Sequence, residues 1–130
     1  LNVVEGECCS LPFDDNSFDY AIAVAIYHHL SNENRRIKAI QEMARVLKIG
    51  SKGLITLWSV ENQENENRTF IEGDNYVKWT NRHNNNTILK RYIYIFSKRM
   101  VDNLLQKIDG IFINKIFNER GNWVIEFTKS

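Results

Sequence analysis

Two adjacent histidines, His28 and His29, follow the apolar run Asp19–Ile26 after one intervening residue, Tyr27. Because neighbouring side chains diverge, we expect only one of the pair to face a pocket. The alternative is a pair of strand-end histidines that bond to backbone groups. No third metal-ligating side chain stands nearby at suitable spacing, and Cys8-Cys9 lacks the C-x-x-C spacing of zinc sites, so no metal site is predicted. The position at the carboxyl end of a strand favours a binding or catalytic role for the pair.

An acidic residue, Glu7, follows the first predicted strand, Asn2–Glu5. Parallel strands end at the same edge of a sheet, so Glu7 and Cys8 should lie near the histidines. The carboxylate can accept hydrogen bonds from an amino group or from ribose hydroxyls, and the small side chains of Ala23 and Ala25 would let a flat ligand approach the backbone. These residues predict a nucleotide-like site, with an exposed strand-end acid as the alternative for Glu7.

The elements that must position these residues form a β–α–β unit. The run Asp19–Ile26 is apolar on both faces, which is typical of a central parallel strand. A helix is predicted over Asn32–Lys48, with Ser31 as its N-cap and Gly50 as its terminator. The strand Gly53–Ser59 follows, so the two strands should be parallel and joined by a right-handed crossover.

The segment after this unit is polar. Residues 60–87 are asparagine-rich, which predicts a polar insertion or mobile loop. The apolar run Ile88–Phe96 predicts a strand or extended segment, and a second helix is predicted over Lys98–Lys107.

The end of the chain predicts an antiparallel hairpin, because Glu119-Arg120-Gly121 separates the apolar segments Ile111–Asn118 and Asn122–Lys129. The sequence therefore predicts a single α/β domain over residues 1–130. Its mainly parallel strands should be flanked by helices and end in this hairpin.

The composition excludes several classes of protein. The chain has 130 residues, 43% of them hydrophobic, which is enough for the core of one domain. Its net charge of +1 gives no overall electrostatic footprint for nucleic acid, although a local basic face is allowed. No apolar run is long enough to span a bilayer, and no secretory signal is visible. Adjacent cysteines are poor disulfide partners, so a reducing, cytoplasmic setting is expected.

Two segments, "LPFDDNSFDYAIAVAIYHHL" and "AIQEMARVLKIGSKGLITLW", resemble the second half of class I S-adenosylmethionine-dependent methyltransferases. That family has L-P-F-x-x-x-S-F-D before one strand and a helix that ends R-V-L-K-x-G-G before the next. Ser51 replaces the second glycine here, which is a mild departure. The resemblance implies the C-terminal part of a Rossmann-like methyltransferase sheet, with S-adenosylmethionine as the cofactor.

A narrower resemblance is to the tRNA wobble-uridine methyltransferases, which convert 5-carboxymethyluridine to its methyl ester. In animals one such domain is fused to an AlkB-type hydroxylase. The family motifs occur in order along the chain as His28-His29, Arg35-Arg36, Trp58, Glu61 and Gln63, Trp79, Arg91-Tyr92 and Gly121–Ile125. The departures are Asn62, between Glu61 and Gln63, and Lys90, Ile93 and Tyr94 in the family's R-Y-Y-H segment.

This resemblance implies a tRNA anticodon loop as substrate. Arg91 would hold the carboxylate as a guanidinium fork, with Tyr92 as a hydroxyl neighbour and His29 near the methyl transfer. The alternative for Arg91 is a solvated charge that breaks an apolar strand. The other expected contacts are to the cofactor from Glu7, Cys8, Ala23, Val24, Ala25 and His28, and to RNA from Arg35, Arg36, Trp58 and Trp79.

Several of these residues have a structural alternative. Arg35 and Arg36 could form a solvated helix face, and Trp58 could belong to the core. Trp79, in the polar segment, is the better candidate for stacking on a base. Trp123 lies in an apolar strand and is expected in the core.

The family's glycine-rich loop and ribose-binding acid lie before these motifs and are not in this chain, which begins at Leu1. We therefore expect an N-terminally truncated domain with negligible cofactor affinity of its own and a sheet edge open to self-association. The family also implies a small zinc-binding adaptor protein as a partner. Two alternatives stay open: a small-molecule methyltransferase of the quinone or sterol type, and a catalytically incompetent fragment of either enzyme.

Overall fold

The computed structural model describes residues 2–61, 63 and 70–130. The elements in chain order are β1 (Phe18–Val24), a short 3₁₀ helix (Tyr27–His29), α1 (Glu33–Val46), β2 (Leu47–Trp58), β3 (Gly73–Asn81), β4 (Thr87–Ile95), α2 (Lys98–Gln106), β5 (Ile111–Glu119) and β6 (Asn122–Lys129). Neither helix is long and apolar enough to cross a membrane, within these described residues.

The central sheet has four strands in the order β1-β2-β6-β5. β1 and β2 pair in parallel, whereas β6 runs antiparallel to both β2 and β5. The α/β class is confirmed, but the expectation of mainly parallel strands is wrong because the sheet is mixed. The reason is that the last strand inserts between β2 and β5, so it takes part in two of the three strand pairings of this sheet.

The predicted β–α–β unit is present, because α1 connects the parallel strands β1 and β2. The helix begins after Asn32, whose side-chain Oδ1 accepts a hydrogen bond from the backbone N–H of Arg35 at 2.9 Å. Asn32 thus takes the N-cap position expected for Ser31. Asparagine and serine cap helices about equally well, so the sequence does not distinguish the two.

The helix ends at Val46, and the expectation that Gly50 terminates it is wrong. The pairing of β1 with β2 jumps from Phe18–Leu47 to Tyr20–Lys52, so residues 48–51 form an irregularity within β2. Gly50 has a φ of +86° in this irregular segment, a conformation that glycine adopts without a steric penalty.

One face of the central sheet carries the hydrophobic core. The strand residues Ala23, Ile55 and Ile125 belong to one buried cluster with Ile40 of α1 and Leu104 of α2. Both helices therefore cover the same face of the sheet. The small alanine side chains of β1 lie on this face. The helix α1 therefore occupies the space in which we expect a ligand from the sequence.

The opposite face of β1 carries exposed apolar side chains. Tyr20, Ile22 and Val24 are 53%, 64% and 55% exposed, and β1 is an edge strand of the described sheet. An open apolar edge favours pairing with another strand. Self-association of the chain stays a prediction.

The predicted strand Asn2–Glu5 is absent from the structure. Residues 2–6 have no strand pairing, and Val3 and Val4 are 85% and 57% exposed. The expectation is wrong because an extended segment becomes a strand only beside a partner, and none of the described strands pairs with this one.

Residues 73–95 form a second sheet, the β3–β4 hairpin, which is called the arm below. β3 and β4 pair antiparallel from Gly73–Ile95 to Asn81–Thr87. The interpretation of 60–87 as a mobile loop is therefore wrong for residues 73–81. Polar side chains on both faces of the arm hide the period of two that identifies a strand. The asparagine run forms the turn, where Asn85 and Asn86 adopt positive φ values that asparagine tolerates.

The terminal hairpin is confirmed. β5 and β6 pair up to Glu119–Asn122, and the two turn residues, Arg120 and Gly121, both have positive φ. This is the backbone requirement of a type I′ turn, whose twist matches that of the flanking strands. Because β5 runs parallel to β2, the turn lies at the edge where β1 and β2 end.

We predict that Gly53→Ala destabilises the protein by about 1–3 kcal/mol, because core positions without free space are strained by an added methyl group. A Cβ at this position would lie 2.4 Å from the Phe127 ring and 3.1 Å from Cε of Met43. Urea denaturation measures the free energy of unfolding. The double variant with Phe127→Leu should recover part of the loss, and an unchanged stability of Gly53→Ala would contradict the packing argument.

Candidate active site

The site begins where β1 leaves the sheet. Ala25 has a φ of +54°, which is uncommon for a residue with a side chain. Its backbone N–H donates to the carbonyl oxygen of Thr56 at 3.2 Å and to the Thr56 hydroxyl at 3.0 Å. These bonds hold the left-handed turn that redirects the chain into the 3₁₀ helix with His28 and His29. Such strained residues persist where the surroundings fix them, and they cluster at functional sites.

His28 is fully buried. Its Nδ1 accepts a hydrogen bond from the backbone N–H of Trp58 at 3.3 Å, so the proton of the neutral ring resides on Nε2. Nε2 has no hydrogen-bond partner among the described residues. Burial, with a smaller effect of His29, lowers the pKa of His28 to about 3. His28 is therefore neutral at physiological pH and matches the alternative of a histidine bonded to backbone, while its contact with a cofactor stays a prediction.

His29 diverges from His28 as expected and is exposed. Its Nδ1 lies 3.3 Å from the carbonyl oxygen of Tyr92 in β4, within hydrogen-bond distance. The two imidazole rings lie 4.4 Å apart at 71°, and the His28 ring lies 5.2 Å from that of Trp58. The histidine pair thus connects the end of β2 to the base of the arm.

Arg35 and Arg36 have different environments although they are neighbours. The Nη2 of Arg35 donates to Oε1 of Glu7 at 3.1 Å, and both side chains are about half exposed to solvent. The side chain of Arg36 is buried, donates from Nη1 to the carbonyl oxygen of Leu30 at 2.6 Å, and lies 3.8 Å above the ring of Tyr94. Arg36 therefore connects α1 to the arm rather than facing solvent. Neither of the two interpretations from the sequence, an RNA contact or a solvated helix face, includes this contact.

Arg91 and Tyr92 lie on opposite faces of the arm, because successive side chains of a strand alternate. The Tyr92 hydroxyl donates to Oδ1 of Asp74, and burial together with this bond raises the pKa of Tyr92. Arg91 is exposed and sits opposite Val77, and its side chain has no ion pair or hydrogen bond with the described residues. The expectation that Tyr92 supports Arg91 as a hydroxyl neighbour is therefore wrong.

The tryptophans fall into three environments. Trp58 is half-buried at the end of β2, and its ring lies 5.6 Å from that of Phe70. Trp123 is in the core, as predicted, and its Nε1 donates to the carbonyl oxygen of Phe96 at 3.0 Å. Trp79 lies in β3, in register with Leu89, and not in a loop as expected. Its side chain lies outside the described part of the structure.

The residues expected at the cofactor are divided between core and surface. Ala23 is buried in the core, whereas Glu7 pairs with Arg35. Cys8 and Cys9 are free and half-buried, and burial raises the pKa of the Cys8 thiol. Among the described residues no cluster of His, Cys, Asp and Glu could hold a metal ion.

An open cavity of about 380 Å³ lies at the edge where β1 and β2 end. Val24, Ala25 and Trp58 line it, as expected for site residues at this edge. The lining also includes five residues that sequence reasoning missed: Thr56, Glu119, Arg120, Asn122 and Val124. Arg120 could have been found, because the predicted hairpin turn must lie at the same edge as the end of β2. The small, apolar surface of Val24 and Ala25 fits a flat ring such as adenine, and Arg120 supplies a cation beside it.

The fold and this edge define a class of protein. A family model described as a methyltransferase domain matches residues 1–55. Solved S-adenosylmethionine-dependent methyltransferases share the fold. One from Methanosarcina mazei has a TM-score of 0.63 at 20% identity, covering 95% of this chain and 65% of that one. The CcbJ methyltransferase from Streptomyces caelestis has a TM-score of 0.68 at 9% identity, covering 98% and 63%.

Sequence similarity to individual proteins makes this class of protein more specific. The chain is 32% identical over 135 residues to the tRNA (carboxymethyluridine(34)-5-O)-methyltransferase of Schizosaccharomyces pombe, covering 88% of this chain and 59% of the relative. It is 45% identical over 62 residues to the Arabidopsis thaliana protein of that name, covering 48% and 15%. The chain thus spans less than two thirds of either relative. The resemblance to the tRNA wobble-uridine methyltransferases is confirmed.

We predict that lowering the pH destabilises the protein because of His28. Its folded pKa of about 3 lies below the ordinary 6.5, so protonation favours the unfolded state. The contribution of His28 is complete above pH 6.5 and is lost as the pH falls toward 3, by up to about 1.4 kcal/mol per pH unit.

Urea denaturation between pH 4 and 7 measures this slope. His28→Gln should have a smaller slope than the wild type, whatever its stability at pH 7. His29→Gln keeps His28 and should keep the slope. Equal slopes for His28→Gln and the wild type would contradict the assignment of a buried, neutral imidazole.

Proposed function

We propose that the protein is an S-adenosylmethionine-dependent methyltransferase that forms the methyl ester of 5-carboxymethyluridine at the wobble position of tRNA. The observation that carries this proposal is the similarity to the Schizosaccharomyces pombe enzyme over 88% of the chain. The open cavity at the carboxyl edge supports it, because ligands of open α/β sheets bind outside the ends of the strands.

The reaction places few demands on acid–base chemistry. A carboxyl group with a pKa near 4 is already ionised at neutral pH, so its oxygen can attack without a general base. S-adenosylmethionine, when bound, supplies the electrophilic methyl group. Val24 and Ala25 would hold its adenosyl end. The protein then has to place the carboxylate oxygen in line at about 3–3.5 Å.

An arginine side chain can hold the substrate carboxylate, and Arg120 and Arg91 are the two candidates. Arg120 lines the cavity together with Ala25 and Trp58. Arg91 lies on the exposed arm and is not among the residues that line the cavity. The position of Arg120 therefore favours it over Arg91. Trp58 at the same cavity offers an aromatic ring near the base.

We predict that the protein expressed from its complete reading frame, supplied with a zinc-binding adaptor, methylates tRNA that carries 5-carboxymethyluridine. Transfer of a radiolabelled methyl group from S-adenosylmethionine, followed by nucleoside analysis, measures the ester. Transcript tRNA with plain uridine is the control, since it has no carboxylate. Absence of ester with the adaptor present would refute the proposal, and transfer to a quinone or sterol acceptor would favour the small-molecule alternative.

We predict further that Arg120→Asn lowers kcat/KM for this tRNA by about 10- to 100-fold, which corresponds to losing one charge-assisted hydrogen bond of about 1.5–3 kcal/mol. Asn-Gly is a preferred type I′ dipeptide, so this variant should keep the β5–β6 turn intact. Arg91→Gln is the matched variant on the arm and should lose much less. A larger loss in Arg91→Gln than in Arg120→Asn would assign the carboxylate to Arg91.

A further inference from the structure

The arm, Gly73–Ile95, concentrates positive charge that the chain as a whole does not show. It contains the cations Lys78, Arg82, Lys90 and Arg91 but a single acidic residue, Asp74, whereas the whole chain has a net charge of +1. Asp74 accepts a hydrogen bond from the Tyr92 hydroxyl and is therefore engaged. The other charged side chains of the arm are all cationic, so the arm carries a net positive charge.

Two of these cations oppose each other directly. Lys78 and Lys90 are cross-strand partners in the β3–β4 register, and both are exposed. Neither has an ion pair or hydrogen bond with the residues that the structure describes. Like charges in directly opposite positions destabilise a strand pair. The isolated arm therefore carries an electrostatic cost that an anion placed between the two ammonium groups would relieve.

Exposed tyrosine lies next to the lysine pair on the same face. Tyr76 and Tyr92 are the cross-strand pair two positions before Lys78 and two positions after Lys90, with rings 5.7 Å apart at 71°. Tyr76 is 67% exposed. We call Tyr76, Lys78, Lys90 and Tyr92 the lysine–tyrosine face. Cations that track phosphates beside exposed aromatic rings are the composition of surfaces that bind single-stranded nucleic acid.

We propose that the lysine–tyrosine face of the arm binds the RNA substrate, with a backbone phosphate between Lys78 and Lys90 and a base against Tyr76. This inference rests on the proposed function, since it assumes that the substrate is RNA. The base of the arm is connected to the candidate site by the contact of His29 with the Tyr92 carbonyl, so RNA on this face lies beside the carboxyl edge.

The test measures binding of the protein, expressed from its complete reading frame, to an anticodon stem–loop RNA by fluorescence anisotropy over a range of salt concentrations. Lys78→Gln with Lys90→Gln should weaken binding roughly tenfold at low salt. It should also reduce the slope of log K against log salt by about 0.7–0.9, the loss of the one phosphate contact between the two lysines. The matched control is Lys38→Gln with Lys115→Gln, which removes two exposed lysines from α1 and β5. An equal loss in the control would overturn the proposal.

A second variant separates binding from folding. Lys90→Glu places opposite charges across the strands, so it should leave the amides of the arm as protected from hydrogen exchange as in the wild type, or more so. The same variant should bind RNA more weakly than the wild type. Weaker binding accompanied by loss of protection in the arm would indicate a merely structural role for Lys90 and count against the proposal.

The identity of the ligand is tested by competition. RNA should displace the labelled stem–loop far better than polyglutamate of equal charge, since only RNA offers bases to Tyr76. Equal competition would indicate a site for acidic proteins and overturn the RNA assignment. If the wild type forms ester while the lysine variants bind and react normally, this inference alone fails. If the arm binds RNA but no ester forms, the proposed function alone fails.

Discussion

The structure depends on how closely α1 can approach the β1–β2 pair. Ala21 is in register with Gly53, and Ala23 lies on the same face of β1, so the strand pair presents three residues with small side chains or none to the helix. A Cβ at Gly53 would collide with Phe127, which shows that no space is left on this face. The crossover through α1 makes β1 and β2 parallel, so both strands end at one edge, where Ala25 and Thr56 then hold the turn toward the histidines.

A second set of contacts builds on this edge. The buried imidazole of His28 receives the Trp58 N–H from the end of β2, and His29 reaches the Tyr92 carbonyl of the arm. Arg36 adds a parallel connection from α1 to the Tyr94 ring. A neutral His28 is required for the first of these, because a protonated ring could not accept the Trp58 hydrogen bond. The position of the arm thus depends on these polar contacts together with the burial of Ile93 and Ile95 near its base.

The parts of the fold that could be predicted from the sequence are those with a strong local signal. The helical period gives α1 and α2 to within two residues, and the Arg120-Gly121 turn gives the terminal hairpin. The arm was predicted only in part: the apolar run Ile88–Phe96 indicated β4, whereas β3 lies in the polar segment that was interpreted as a loop. The face that β1 offers to a ligand was also missed, because an apolar run on both sides does not indicate which side a helix covers.

The residues of the candidate site divide in the same way, into those that could be placed from the sequence and those that could not. His28, Trp58 and Ala25 could be placed at the carboxyl edge because strand ends are visible in the sequence. Arg36 could not be distinguished from Arg35, since burial depends on where α1 meets the arm. Net charge was the least informative signal, because it averages over the whole chain. The opposition of Lys78 and Lys90 arises only when β3 and β4 pair, so a basic face can form in a nearly neutral protein without any basic run in its sequence.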